Sequence, residues 1–246
     1  MPKYLYMKFA LIGYGKMGKT IEQVILGQDK SDEVVLRIGE ENLDDLTIAN
    51  LQKADVAIEF TRPDAAIGNI NLCFEARVPV VVGTTGWLNK LHEVTKSCTD
   101  NNGALFYSPN YSIGVNIFFE INRRLALLMN KQPQYEVQLE EIHHTEKIDA
   151  PSGTAIRAAE LILAELDTKS SWQLNQINSQ AELLITALRQ PNVPGTHSIT
   201  FSSHVDEIKL IHQAKNRLGF AEGAVLAARW LVGKRGVFEM KDLLSL

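Results

Sequence analysis

The sequence predicts an α/β fold in which a doubly wound parallel sheet is followed by an α+β domain with an open mixed sheet. In the first half, short and continuously apolar segments alternate with helical patterns. Continuous apolar strands are typical of a parallel sheet that is covered on both faces. In the second half, strand candidates alternate polar and apolar residues, which indicates a sheet with one face in water.

The first half alternates strands and helices as far as residue 110. Its first helix carries Ile21, Val24 and Ile25 on one face, at the spacing of an amphipathic helix. Strands are predicted at 8–12, 34–38, 56–60, 78–82 and 104–107. Helices are predicted from the glycine run at 13–18 to about residue 26, and at 65–75 and 88–97. We therefore predict a first domain over residues 1–110.

The pattern changes after Asn110. Helices are predicted at 115–129 and 155–166, and strands at 136–142, 183–188, 198–204 and 207–214. This mixture predicts a second domain over residues 111–217. The apolar segments 221–232 and 238–244 are expected to return to the first domain, which residues 218–246 would complete.

The composition of the 246 residues is that of an ordinary globular protein, with 45% hydrophobic and 22% charged residues. A formal net charge of -4 argues against a nucleic-acid partner. No apolar segment approaches the ~20 residues that span a bilayer, and the start lacks the apolar core of a signal peptide, so a cytoplasmic protein without membrane contact is expected. Met7 is an alternative to Met1 as the initiator, because the first strand follows it directly. Cys73 and Cys98 are predicted to be free buried thiols.

A glycine-rich run joins the first strand to the first helix. In a Rossmann-like unit the first glycine permits a tight turn, the second lets a pyrophosphate approach the backbone, and the third allows close helix packing. The helix N-terminus adds amide donors and positive potential. A purely structural turn is the alternative. We predict dinucleotide contacts from the residues of this run and the one before it: Ile12, Gly13, Tyr14, Gly15, Lys16, Met17 and Gly18.

An acid at the end of the second strand would bind the ribose 2′-hydroxyl of the dinucleotide. Glu40 and Glu41 are the candidates, and we assign the role to Glu40. No arginine or lysine follows them closely to bind a 2′-phosphate, although Lys16 adds some positive charge. NADH or NADPH is therefore the expected cofactor, with NADH preferred by a small margin.

Two further loops follow strands of the first domain. Ligands bind at the carboxyl ends of the strands in a doubly wound sheet, so both loops are candidates for the nicotinamide side of the cofactor. Ordinary strand-to-helix turns are the alternative. The candidate residues are Gly83, Thr84 and Thr85 in the first loop, and Ser108, Pro109, Asn110 and Tyr111 in the second.

The stretch 141–155 concentrates proton-transfer and anion-binding groups. His143 and His144 are followed by Lys147 and by a Pro-Ser-Gly-Thr turn that opens a helix. Histidine titrates near neutral pH, and a helix N-terminus binds carboxylates. The stretch predicts a site that holds and protonates a small dianionic substrate.

Other interpretations of the histidines remain open. Adjacent side chains on an extended segment point to opposite sides, and no third ligand has suitable spacing, so we predict no metal. The isolated histidines His92, His197, His204 and His212 are expected at the surface or in packing. Arg217 is a candidate partner for a carboxylate, with a solvated arginine as the alternative.

The motifs together resemble one family. The run from Glu141 to Ala155, read as E-I-H-H-T-E-K-I-D-A-P-S-G-T-A, is similar to the signature of dihydrodipicolinate reductase. Collinear matches at 15–18, 59–63, 83–86, 110–116 and 220–224 extend the resemblance over nearly the whole chain. The resemblance implies NAD(P)H-dependent reduction of (2S,4S)-4-hydroxy-tetrahydrodipicolinate to tetrahydrodipicolinate in diaminopimelate and lysine synthesis.

The resemblance also implies roles for single residues. His143 would be the proton donor and Lys147 a second donor, while His144, Ser152, Gly153 and Thr154 would bind the substrate carboxylates. A homotetramer built through the C-terminal sheets is expected. The chain departs from the family at Ile12, where many relatives have glycine, and in a short 166–188 segment. Another small two-domain reductase and a non-catalytic dinucleotide sensor are the rival functions, and the His-His-x-x-Lys run disfavours both.

Overall fold

The computed structural model describes residues 6–29, 31–216 and 218–246. It divides into two compact units: unit 1 is Met1–Ile113 with Leu218–Leu246, and unit 2 is Gly114–Arg217. Met1, to which Met7 is the alternative as initiator, and Arg217, the candidate carboxylate partner, lie outside the described residues.

The first segment of unit 1 alternates strands and helices. Its elements are β1 (Lys8–Ile12), α1 (Lys16–Gln28), β2 (Glu33–Ile38), α2 (Ile48–Leu51), β3 (Val56–Glu59), α3 (Pro63–Glu75), β4 (Val80–Val82), α4 (Leu91–Asp100) and β5 (Ala104–Tyr107). Short 3-10 helices lie at Glu40–Asp45 and Leu88–Lys90. Pro63 begins α3, where its missing N–H costs no hydrogen bond.

The next segment forms unit 2. Its elements are α5 (Ile113–Met129), β6 (Glu136–His143), α6 (Gly153–Leu163), β7 (Ser171–Leu174), β8 (Glu182–Arg189), β9 (Thr196–Ser202) and β10 (Glu207–Gln213). The chain then returns to unit 1 as α7 (Leu218–Leu231), β11 (Gly236–Phe238) and α8 (Met240–Leu244).

The sheet of unit 1 is parallel throughout, in the order β11-β5-β4-β3-β1-β2. Its register aligns the strand ends, because Ile12 pairs with Ile38 and Glu59, and Val82 pairs with Glu59 and Tyr107. The loops that follow these five strands therefore start along one edge of the sheet. This edge is where ligands bind in doubly wound sheets.

Both faces of this sheet are covered. Phe9 and Leu11 of β1 pack into one apolar cluster with residues of α1 and α7. Ala10 and Ile12 of the same strand pack into a second cluster with residues of α3 and α4. Successive side chains of a strand point to opposite faces, so each continuously apolar strand contributes to both cores.

The sheet of unit 2 is mixed, in the order β10-β9-β6-β8-β7. β9 pairs antiparallel with β6 and β10, whereas β8 pairs parallel with β6 and β7. Leu139, Ile185 and Ile199 from its three central strands share one apolar cluster with residues of α5 and α6. Alternating strands thus bury one face against helices, as the sequence predicted.

Two strands were not predicted from the sequence. β7 is a four-residue edge strand within the 166–188 segment, and β11 has three residues. Neither is a continuous apolar run like the equally short β4 and β5, because β7 contains Ser171 and Gln173 and β11 begins at a glycine. Helix α6 begins at Gly153 rather than at residue 155, because the Ser152 hydroxyl caps it by accepting a hydrogen bond from the amide of Ala155.

The state of the two cysteines and the absence of a membrane-spanning segment were also predicted from the sequence. Cys73 and Cys98 are free and buried, as predicted. In the described part of the chain, none of the helices combines the length and apolarity that crossing a membrane requires.

Gly223 of α7 provides a test of the packing in unit 1. A Cβ at this position would lie 1.8 Å from the backbone oxygen of Tyr111. We expect Gly223→Ala to lower the free energy of unfolding by about 1–3 kcal/mol or more, because backbone has to move. Gly68→Ala in α3 is the control, since a Cβ there meets open space and should stabilise by up to about 1 kcal/mol. Equal thermal midpoints for the two variants would contradict the packing.

Candidate functional site

The glycine loop of unit 1 is tied to the neighbouring strands. The carbonyl oxygen of Ile38 accepts hydrogen bonds from the amides of Gly13, at 2.9 Å, and Tyr14, at 2.8 Å. Gly13 has a φ of +98°, and a Cβ there would lie 1.9 Å from the oxygen of Phe60. Only glycine fits this turn.

The other two glycines of the motif shape the start of α1. A Cβ on Gly18 would lie 2.3 Å from the oxygen of Gly13, so the helix packs directly on the loop. A Cβ on Gly15 would meet no described atom within 4 Å. Gly15 is the N-cap, makes no side-chain cap hydrogen bond, and is followed by no acid in the first turn. This N-terminus can therefore receive a pyrophosphate.

The segment after β2 contains the two candidate ribose acids, Glu40 and Glu41, and both are exposed. The Glu41 carboxylate lies over Gly39, where a Cβ would stand 2.7 Å from its oxygens. Arg37 is the nearest preceding cation, and it is paired with Glu22 through its Nε at 2.7 Å. That pairing leaves Arg37 engaged within the protein rather than available to a 2′-phosphate.

The two remaining loops of unit 1 are joined by Val82. Its carbonyl oxygen accepts hydrogen bonds from the Tyr111 hydroxyl, at 2.7 Å, and the Ser108 amide, at 3.3 Å. Burial, and then the nearby charge of Glu59, raise the pKa of Tyr111 well above its usual value of 10. The Tyr111 side chain is thus a buried, neutral part of the scaffold. A cofactor contact from this residue would have to come from its backbone.

In the first of these loops, Thr84 and Thr85 differ in exposure. The Thr84 hydroxyl is buried and accepts a hydrogen bond from the amide of Thr61 at 2.7 Å. Thr85 is exposed, as is Pro109 in the second loop. The side chain of Thr84 therefore fixes the loop, and Thr85 is free to face a ligand.

The site in unit 2 is built across three strands. His143 is the last residue of β6, and Arg189 of β8 is its partner in the parallel register. His197 of β9 lies opposite Glu141 in the antiparallel register. The rings of His143 and His197 meet edge to face, with centroids 5.1 Å apart and planes at 73°. Two residues far apart in sequence are thus brought against His143.

Glu141 lies at the centre of this cluster and is fully buried. Each of its carboxylate oxygens accepts a hydrogen bond from the amide of Ser152 at 3.1 Å. Oε2 lies 3.3 Å from Nδ1 of His143 and 3.7 Å from Nε2 of His197, and Oε1 lies 3.5 Å from Nη1 of Arg189. The carboxylate therefore links all three strands to the start of α6.

These contacts set the ionisation states of Glu141 and His197. Burial alone would raise the pKa of Glu141, but the contact with His143 and the hydrogen bond from Ser152 lower it from 4.5 to about 2. Burial, and next the neighbouring His143, lower the pKa of His197 from 6.5 to about 4. At neutral pH the cluster therefore contains an ionised Glu141 and a neutral His197.

Lys147 lies on the turn that follows β6. Its Nζ donates to both carboxylate oxygens of the exposed Asp149 at 2.7 Å. Arg189 holds this turn by donating to the backbone oxygens of Lys147, at 3.3 Å, and Asp149, at 2.6 Å. The ammonium group of Lys147 is thus held in place on the turn. Because its partner Asp149 is exposed, a substrate carboxylate can take the place of the Asp149 carboxylate.

The start of α6 provides the anion-binding element. Ser152 is buried; its amide donates to Glu141 and its hydroxyl caps the helix and lies 3.1 Å from Nε2 of His197. These contacts make Ser152 a support for the turn rather than the best substrate ligand. Gly153 is exposed and Thr154 is half-buried, so they are better placed to bind a carboxylate.

The cluster also has to be considered as a metal site. Ligand atoms of Glu141, His143 and His197 lie within 4.8 Å of one another, and His197 is the third ligand that sequence spacing did not reveal. However, the carboxylate already accepts from Ser152 and lies beside the guanidinium of Arg189, whose positive charge disfavours a cation there. We interpret the cluster as a proton-handling site, and the absence of a metal stays a prediction.

The structure brings together some predicted residues and adds others. His143, Lys147 and the 152–154 turn lie in unit 2 around one cluster, and His144 follows His143 at the start of the turn that leads to Lys147. Sequence analysis did not find Glu141, Arg189 or His197 as members. Glu141 is two residues before His143, on the same face of a strand, and this spacing was the one available signal.

Both units match known families. Residues 7–111 match the family model described as dihydrodipicolinate reductase, N-terminus, and residues 114–244 match the one described as dihydrodipicolinate reductase, C-terminus. A 4-hydroxy-tetrahydrodipicolinate reductase of Christiangramia forsetii is 44% identical over 243 residues, which is 97% of this chain and 98% of that protein. One from Neisseria meningitidis is 33% identical over 228 residues, which is 90% of this chain and 83% of that protein.

A solved structure confirms the predicted fold class. The dihydrodipicolinate reductase of Paenisporosarcina sp. TG-14, determined with dipicolinate bound, has a TM-score of 0.79 and covers 95% of this chain and 97% of that one. The two sequences are 22% identical, so this likeness concerns the fold.

The neutral state of the buried His197 predicts a dependence of stability on pH. In the unfolded chain a histidine takes up a proton near pH 6.5, whereas folded His197 resists protonation down to about pH 4. Its contribution is therefore present above pH 6.5 and is lost as the pH falls towards 4, by at most about 3 kcal/mol. In urea unfolding, His197→Gln should lose less stability than the wild type between pH 7 and pH 4. The exposed His204→Gln is the control; if both variants follow the wild type, His197 is not held neutral.

Proposed function

Because the chain belongs to the dihydrodipicolinate reductase family, we propose a division of its oxidoreductase reaction between the two units. The chain catalyses the NAD(P)H-dependent reduction of 4-hydroxy-tetrahydrodipicolinate to tetrahydrodipicolinate, a step of diaminopimelate and lysine synthesis. In the proposed division, unit 1 binds the dinucleotide and unit 2 binds and protonates the substrate.

In unit 1, the N-terminus of α1 holds the pyrophosphate. The support is the uncapped helix start at Gly15, with no acid in the first turn. Residues 12–18 line this part, and the loops at 83–85 and 108–111 contact the nicotinamide side. When bound, the reduced nicotinamide supplies a hydride.

In unit 2, the two substrate carboxylates need cationic and amide partners. Gly153 and Thr154 supply the N-terminal amides of α6, and His144 contacts a carboxylate next to them. Lys147 exchanges Asp149 for the substrate and adds a positive charge. Ser152 keeps this turn in place through its contacts with Glu141 and α6.

His143 delivers the proton of the reaction. The 4-hydroxyl group leaves as water together with a hydrogen of the neighbouring ring carbon on the imine side, and hydride addition at C4 of the resulting conjugated imine leaves an electron pair on that neighbouring carbon. A C–H bond then forms there as the N–H bond of His143 breaks, with Lys147 as a second donor. One observation carries this assignment: His143 is buried against the ionised Glu141, in the same unit as the exposed Gly153 at the start of α6.

We also propose an assembly, a location and a cofactor preference. Apolar side chains of β10, Ile208 and Ile211, are 40% and 59% exposed, which supports a homotetramer formed through the sheets of unit 2. A cytoplasmic location suits a reaction that uses NAD(P)H. NADH is preferred, because Glu40 or Glu41 is available to the ribose while Arg37 is engaged by Glu22.

Two rival functions are weaker on specific grounds. A dinucleotide sensor needs no buried histidine–carboxylate pair in unit 2, and the pair of His143 and Glu141 is present. Another small two-domain reductase would lack the His-His-x-x-Lys run followed by the Pro-Ser-Gly-Thr turn.

His143→Gln tests the proton donor. We expect kcat to fall by about 10²–10⁴-fold, the usual contribution of general acid–base catalysis, while the dissociation constant for NADH stays unchanged. Absorbance of reduced nicotinamide follows turnover with enzymatically generated substrate, and His204→Gln is the control. A loss of NADH affinity with normal kcat would remove His143 from its role.

The cofactor preference is tested by running NADH and NADPH in parallel. The wild type should show the higher kcat/KM with NADH, and Glu40→Gln should lower that value about tenfold with little change for NADPH, because one charged hydrogen bond to the ribose is lost. Glu41→Gln is the matched control. If Glu41→Gln has the effect instead, the ribose acid is one residue later, and a wild type that prefers NADPH contradicts the assignment.

A further inference from the structure

The complete burial of the Glu141 carboxylate is not explained by the proposed role of His143 as proton donor. The polar neighbours of this carboxylate include the amide of Ser152, the guanidinium of Arg189 and the imidazole of His143. The amide and the guanidinium can only donate hydrogen bonds. Both oxygens of residue 141 therefore have to act as acceptors. A glutamate carboxylate has two acceptor oxygens, whereas a glutamine side chain has only one.

The two ring nitrogens of His143 have different surroundings. Nδ1 is buried and makes no hydrogen bond of good geometry among the described residues, and the Glu141 oxygen lies 3.3 Å away. Nε2 lies on the side of Gly195, where even a Cβ would come within 3.0 Å of it. The absence of a side chain at Gly195 keeps this nitrogen uncrowded.

We propose that Glu141 is the positioning residue for His143: it holds a proton on Nδ1 and thereby makes Nε2 the atom that protonates the substrate. This inference rests on the proposed function for the identity of the step, but the arrangement exists in the free protein. His197 assists by packing edge-on against the His143 ring, and Arg189 and Ser152 keep the carboxylate in place.

The physical reason is that an ionised acceptor selects one tautomer. A buried carboxylate next to Nδ1 favours the ring form with a proton there, and the ring acts as the acid when Nε2 also carries a proton. When the proton leaves Nε2, the Nε2–H bond breaks and a C–H bond forms on the ring carbon next to C4 on the imine side. The Nδ1 proton stays between His143 and Glu141, and Nε2 takes up a new proton from solvent. Glu141 itself gains no proton.

A purely structural role is the alternative, in which Glu141 only attaches the start of α6 to the sheet. Such a role would affect stability, but it would not determine which nitrogen of His143 carries the proton. The tautomer is therefore the measurement that separates the two roles.

The variant to test is Glu141→Gln, with Glu140→Gln as the matched control. Both remove one negative charge from neighbouring positions of β6, but Glu140 lies on the opposite face of the strand. In Glu141→Gln we expect kcat to fall by about 10²-fold, with unchanged affinity for NADH and a far-ultraviolet circular dichroism spectrum like that of the wild type. Normal kcat in folded Glu141→Gln overturns the proposal.

The tautomer is read from the 15N shifts of the neutral His143 ring, assigned by comparison with His143→Gln. In the wild type we expect Nδ1 to carry the proton and Nε2 to be bare, and in Glu141→Gln we expect this pattern to be lost. A wild-type ring protonated at Nε2 overturns the proposal even if Glu141→Gln does not fold. The 15N measurement of the His143 tautomer needs no substrate. If the proposed reaction is wrong, the wild type will not oxidise NADH in the presence of substrate, and this result is distinct from the tautomer.

Discussion

The buried carboxylate of Glu141 is the constraint on which the site in unit 2 depends. Its two oxygens share the one hydrogen bond that the amide of Ser152 donates, and it lies within 3.7 Å of side chains from β8 and β9 as well as of its own strand. A buried charge is costly unless it is paired and hydrogen-bonded. The residues that satisfy Glu141 are therefore held in one arrangement, and His143 is among them. The start of α6 is fixed by the same carboxylate, through the amide of Ser152.

Unit 1 fixes the loops of its candidate cofactor site through strand register and glycine packing rather than through a buried charge. There the parallel register aligns the ends of five strands, and glycines allow the backbone to turn within contact distance of its neighbours. Its binding elements are mainly backbone groups, since the Gly15 helix start lacks a side-chain cap. Unit 2 instead uses charged side chains. This difference suits the two tasks, because a pyrophosphate needs amide donors and a proton transfer needs titratable groups.

Sequence analysis predicted the fold well where the hydrophobic period was long and regular. Strands β1 to β5 and the helix α5 were found to within a few residues, and the conformational reasons given for Gly13 and Gly18 agree with their close contacts. The edge strands β7 and β11 were missed because neither is a continuous apolar run. His143 and Lys147 stood out through local density in the sequence. Arg189 and His197 join them through strand register alone, and register between distant strands is a tertiary property that spacing does not reveal. Glu141 lies two residues before His143 on the same strand, so only its spacing could have indicated it.

The central claim is that Glu141 is ionised and fixed throughout the working pH range. The most direct measurement is a 13C NMR titration of its carboxyl carbon in glutamate-labelled protein, with the resonance assigned by its absence from Glu141→Gln. Because the contacts with His143 and Ser152 lower the pKa of Glu141 to about 2, we predict a constant shift from pH 8 down to pH 4. A titration step above the ordinary glutamate value of about 4.3 would contradict this account.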